Sequence, residues 1–170
     1  AYQAGEISFE QAQSYNLDEY VGINPTNEAS YHYYMDQHLF NHVDMKRENI
    51  HVPKGNTADL QAAAAQYDTM IEAAGGVDIQ LLGIGVNGHI GFNEPGTPFA
   101  LGTNVVELTE STREANKIYF NSIDEVPTHA ITMGIQTIMN AKKVVLLISG
   151  ASKQEAMERL RSGEVSERFP

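Results

Sequence analysis

The densest chemistry in this sequence lies in thirteen consecutive residues, Gly83-Ile84-Gly85-Val86-Asn87-Gly88-His89-Ile90-Gly91-Phe92-Asn93-Glu94-Pro95. They combine an imidazole, two side-chain amides, a carboxylate and four glycines. Imidazole titrates near neutral pH, so His89 can both take and give a proton. Asn87 lies two residues before it and Glu94 five after; either at the second ring nitrogen would set its tautomer. Glycine permits positive φ and close approach of a backbone to a ligand, the use expected of Gly83 and Gly85. The run therefore reads as an acid/base loop with substrate-facing glycines.

Rival readings exist for each residue. A lone histidine is most often structural, and His32, His38, His42, His51 and His129 receive that reading. A metal site at His89 lacks a second histidine or cysteine at ligand spacing. Gly83 to Gly88 also satisfies G-x-G-x-x-G after a strand, but a dinucleotide site needs a helix opening at the loop. Gly91, Pro95, Gly96, Pro98 and Gly102 forbid that helix, although Glu107 lies near the offset of a ribose-binding acid. Asp18, in Asn16-Leu17-Asp18-Glu19-Tyr20, could be a turn or helix cap. Lys153, after Ser149-Gly150-Ala151-Ser152, could be a solvated surface lysine or, at a helix start, part of an anion site.

The elements decide how these residues meet. Strands are predicted at Gln13–Leu17, Asn49–Val52, Ile79–Leu82, near Asn104–Leu108 and near His129–Met133. Lys143–Ile148 is a continuous apolar run, the pattern of a strand covered on both faces. Helices are predicted over Ser30–Phe40, Asp59–Ala74 (entered at Asn56-Thr57), Ile135–Asn140 and Ser152–Arg161. Capping-box spacing at Ser111–Glu114 starts another, and the same spacing recurs at Ser152–Glu155. The alternation implies an α/β class: a doubly wound, mostly parallel sheet with helices on both faces. In such a sheet, ligands gather beyond the carboxyl ends of the strands. Asp18 (in a turn after the first strand), the glycine loop and Gly150–Lys153 all fall at such ends.

Length and composition narrow the class. A chain of 170 residues makes one domain, large enough to bury about 68–70% of its unfolded surface. Its net charge of −11 argues against a nucleic-acid footprint and means that any phosphate pocket is built locally. With no cysteine, disulfides and thiolate metal sites are excluded. No apolar run approaches the roughly 20 residues needed to span a bilayer. A cytoplasmic enzyme or binding domain, with no nucleic-acid or membrane partner, is the expectation.

The chain resembles glucosamine-6-phosphate deaminases of the glucosamine/galactosamine-6-phosphate isomerase family. The likeness runs through Asn16 to Gly22, Ser30 to Tyr34, Asn87 to Gly96, Leu108-Thr109 with Thr112-Arg113, and Gly150 to Lys153. The Phe92-Asn93-Glu94-Pro95 continuation distinguishes it from the related sugar-phosphate lactonases. The resemblance implies conversion of glucosamine 6-phosphate and water to fructose 6-phosphate and ammonia in the cytoplasm, a hydrolase-class aldose–ketose isomerisation coupled to deamination. It implies that Asp18 moves a proton between C2 and C1 through an enediol-like intermediate. His89 assists opening of the pyranose ring, oriented by Glu94 and Asn87, and Lys153 contacts phosphate. No cofactor and no metal are implied, and homo-oligomerisation is left open.

Some positions depart from the family pattern. Asn87 stands where some members carry aspartate, and Ile118 where some place a phosphate-binding arginine. Asn104 and Val106 replace basic residues that bind an allosteric effector in hexameric members, so no such activation is expected. Residues 1–170 read as a single α/β domain, expected to be truncated at both termini: the family has an upstream strand with a glycine/threonine-rich phosphate loop, and further strand and helix downstream. An exposed sheet edge, marginal stability and weak activity follow as expectations. Two other functions compete: a non-catalytic sugar-phosphate sensor and a 6-phosphogluconolactonase-like hydrolase.

Overall fold

The computed structural model describes residues 1–170. Seven short strands and five α-helices alternate along the chain, as the α/β reading requires. Strand β1 (Ser14–Tyr15) pairs in parallel with β3 (Ile50–His51), and β4 (Gln80–Leu82) pairs in parallel with β7 (Val144–Leu146). Between them lies a feature the sequence reading lacked. Strands β2 (Asp18–Tyr20), β6 (His129–Thr132) and β5 (Asn104–Glu107) form an antiparallel sheet in the order β2-β6-β5.

Asp18 therefore does not sit in a turn, as expected, but opens β2, with Thr132 as its register partner. The first strand ends at Tyr15, and two residues carry the chain from one sheet to the next. Sequence patterning has no signal for so short a break between strands.

Helix α1 (Tyr31–His38) is capped by Ser30, whose hydroxyl accepts from the Tyr33 amide. Helix α2 (Leu60–Ala73) is entered at Asp59 rather than at Asn56-Thr57, because the Asp59 carboxylate accepts from the Ala62 amide. Helix α3 (Glu110–Asn116) is capped by Thr109, so the apparent box at Ser111 lies inside it. A short 3-10 turn, Ala151–Lys153, precedes α5 (Gln154–Ser162), and Ser152 makes no capping bond. Helix α4 (Ile135–Met139) follows β6 after a single connecting pair.

Two apolar clusters hold these elements. Tyr67 and Ile71 of α2 pack with Leu82, Ile90, Met133 and Ile138. Tyr20, Ile23, Phe92, Leu108 and Ala130 form the second. Each fully buried side chain of this size contributes about 1.5–3 kcal/mol. The glycine loop sends Ile90 into one cluster and Phe92 into the other, so it is wedged between them. The run Lys143–Ile148 corrects another expectation: β7 is not covered on both faces. Leu81 and Leu147 expose an apolar side of the β4–β7 pair.

Candidate active site

The loop that leaves β4 is shaped around His89. The Gly85 amide donates to the His89 carbonyl at 2.8 Å, folding the loop back on itself. A Cβ at position 85 would lie 2.4 Å from the imidazole, so glycine is required for the ring to occupy this place. At Gly91 the chain passes through φ +56°, and a Cβ there would press on Thr132 and Leu17. By contrast, a Cβ at Gly83 meets nothing within 4 Å.

Around the imidazole the predicted partners do converge. Glu94 Oε2 lies 3.5 Å from His89 Nδ1, and the Asn87 side-chain amide donates to that same oxygen at 2.7 Å. Asn87 Oδ1 also accepts from the His89 backbone amide at 3.2 Å. Asn87 thus orients Glu94 and the loop, while Glu94 faces the ring. His89 Nδ1 is buried and has no hydrogen-bond partner at normal distance. The second oxygen of Glu94 accepts from the Thr112 hydroxyl at 3.1 Å.

Asp18 reaches this loop through β6. The Leu17 carbonyl accepts from the Met133 amide at 2.8 Å, and Thr132, opposite Asp18, presents its Oγ1 to the Phe92 amide at 3.4 Å. Asn93, fully buried, donates to the carbonyls of Ile90 and Met133 at 2.9 and 2.8 Å. It locks the loop to the end of β6. Burial pushes the Asp18 carboxyl up to about 7, and the neighbouring Glu19 charge adds to the rise. A carboxylate titrating near neutrality is suited to proton transfer at cellular pH.

Glu19 is a residue that sequence reasoning missed. Its buried carboxylate accepts from the backbone amides of Tyr20, Tyr31 and His32 at 2.8, 3.1 and 2.9 Å, joining β2 to the start of α1. Burial raises its pKa, partly offset by those amides. Only its place beside Asp18 could have signalled it. Burial also raises the Tyr20 and Tyr31 hydroxyls above their ordinary value. A cavity of about 930 Å³ lies on the Glu19 and His32 side of β2, against α2, and does not include the glycine loop.

Lys153 stands in the turn after β7. Because β7 pairs in parallel with β4, its loop leaves the same sheet edge as the glycine loop, and the Leu147 amide bonds the Leu82 carbonyl at 2.8 Å. None of the chain's six ion pairs involves Lys153. No three of histidine, cysteine, aspartate and glutamate converge as metal ligands would. No helix is long and apolar enough to cross a membrane.

The α/β fold thus brings a histidine–carboxylate pair together on the glycine loop and links Asp18 to that loop through Thr132 of β6. Residues 1–170 match the family model for glucosamine-6-phosphate isomerases/6-phosphogluconolactonase, and the chain belongs to that family. It is 59% identical over 169 residues to glucosamine-6-phosphate deaminase of Lysinibacillus sphaericus strain C3-41, covering 99% of this chain and 71% of the relative. Against the Oceanobacillus iheyensis deaminase, identity is 57%, over 100% of this chain and 68% of the relative. The solved structure of a monomeric glucosamine-6-phosphate deaminase superposes with a TM-score of 0.96 at 51% identity, over 99% of this chain and 70% of that one. A 6-phosphogluconolactonase from Thermotoga maritima, at TM-score 0.73 and 16% identity, shares the fold, over 94% of this chain and 67% of that one.

Proposed function

We propose that this chain catalyses the isomerising deamination of glucosamine 6-phosphate, consuming water and yielding fructose 6-phosphate and ammonia. In this reading His89, held by Glu94 and Asn87, exchanges the proton that opens the pyranose ring. Asp18 then removes the C2 proton and returns it to C1. Water adds to the C2 imine so formed, and its collapse to the ketone releases ammonia. Gly83 and Gly85 let the loop backbone approach the sugar, and Lys153 pairs with the phosphate, a compact cation well suited to that role.

The observation that carries this reading is the Asp18 carboxyl, raised to about 7 on β2, whose partner strand β6 is tied at its end to the His89–Glu94 loop. A base in that range is about half ionised at neutral pH and returns its proton readily. The identity to deaminases over nearly the whole chain supports the choice of substrate. The Phe92–Pro95 run beside His89 favours a deaminase over a lactonase, and retention of Asp18, His89 and Glu94 favours an enzyme over a sensor.

The test is ammonia release from glucosamine 6-phosphate, by this chain and by a version extended to the length of its relatives. Turnover that disappears in Asp18→Asn is expected. Absence of ammonia from both, with hydrolysis of gluconolactone 6-phosphate, would assign the lactonase reading instead. Binding without either reaction would assign the sensor.

A further inference from the structure

We infer that Thr112 is a positioning residue, acting on His89 through Glu94. The inference rests on the reaction proposed above for its kinetic test and on geometry alone for its spectroscopic one.

Glu94 offers two oxygens, and each takes one donor. The Asn87 amide reaches Oε2 at 2.7 Å, and the Thr112 hydroxyl reaches Oε1 at 3.1 Å. Two donors on opposite oxygens fix the plane of a carboxylate, whereas one leaves it free to rotate about its last bond. That plane determines whether Oε2 faces His89 Nδ1 at 3.5 Å, the approach nearest to satisfying this buried nitrogen.

The Thr112 hydroxyl is itself directed. Thr109, the cap of α3, donates its hydroxyl to Thr112 Oγ1 at 2.9 Å, so the Thr112 proton is left to point at Glu94. The same Thr109 oxygen accepts from the Thr112 backbone amide at 3.2 Å, which holds the first turn of α3 in register. A hydroxyl chain thus runs from the α3 cap to the carboxylate beside the imidazole. Thr112 touches no reacting atom in this arrangement and acts only by orienting Glu94.

The discriminating variants are Thr112→Val, which keeps the shape and removes the hydroxyl, and Thr112→Ser, which keeps the hydroxyl. We expect Thr112→Val to lower kcat about tenfold with KM nearly unchanged, and Thr112→Ser to recover most of the loss. In a Glu94→Gln background, Thr112→Val should add little, because its route to His89 is already broken. An equal loss in both backgrounds, or failure of serine to rescue, would overturn the inference.

The His89 ring titration, followed by NMR in the full chain, gives a readout that needs no turnover. Thr112→Val should move its midpoint towards that of Glu94→Gln, while Thr112→Ser stays with the wild type. A midpoint unmoved by Thr112→Val would also overturn the inference. A wild type that releases no ammonia would refute the proposed function, and the titration would still decide the role of Thr112.

Discussion

The antiparallel sheet β2-β6-β5 and the parallel pair β4–β7 are built to different standards. Ala130, Ile131, Thr132 and Met133 on β6 and its end are wholly buried. On β4 and just past β7, Leu81 and Leu147 are 57% and 64% exposed. Yet the glycine loop grows out of the exposed pair, not the buried sheet. Its rigidity is therefore borrowed. Asn93 ties it to the Met133 carbonyl, Phe92 to Thr132 and Glu94 to Thr112. Glu167 adds a fourth tie, its carbonyl accepting from Gly96 at 2.6 Å and its carboxylate from Phe99 at 2.9 Å. The contrast teaches that a loop's chemistry can be held by what it crosses rather than by the strand it leaves.

The sharpest break in that contrast is at Asp18 on the buried side. Asp18→Asn should lower ammonia release by about 10²–10⁴-fold in a coupled assay. It should also alter stability with a defined sign. Because burial raises the Asp18 pKa, the folded chain binds this proton more tightly than the unfolded chain. Stability from this group is greatest below about pH 4, falls as pH rises and is fully lost above about 7. The asparagine variant should therefore be more stable than wild type at pH 8, by up to about 4 kcal/mol, and gain nothing at pH 4.

Next in size is Ile131→Ala, expected to cost about 2–5 kcal/mol in urea unfolding because the site cannot refill. Asn93→Ala should follow at about 1–3 kcal/mol, removing the side-chain donor that joins the Ile90 and Met133 carbonyls. Its distinguishing mark would be a loss of turnover larger than the loss of stability at the assay temperature explains. Smallest of all, Leu81→Ser on the open face should stay within about 0.5 kcal/mol of wild type. If Leu81→Ser destabilised as much as Ile131→Ala, the two regions would not differ as described.

The same contrast explains what could be read from residue order alone. Helix α2 was legible because its alanines and closing glycines are local signals. Asn87, His89 and Glu94 were legible because eight residues of loop confine them together. Lys143–Ile148 misled because an apolar run reports hydrophobicity, not what covers it. Asp18 lies not beyond the carboxyl end of the first strand but at the start of β2, since the crossing from β1 to β2 occupies only Asn16 and Leu17. Glu19 and Thr112 act on residues 12 to 18 positions away, and no local pattern encodes such contacts.

The most direct test of the central claim is the titration of the Asp18 carboxyl itself, followed by carbon-13 NMR of labelled aspartate with Asp18→Asn as the assignment control. A midpoint near 7 is the predicted result, the property of a buried base fixed beside the His89 loop. A midpoint near 4, the ordinary value for aspartate in water, would contradict the account.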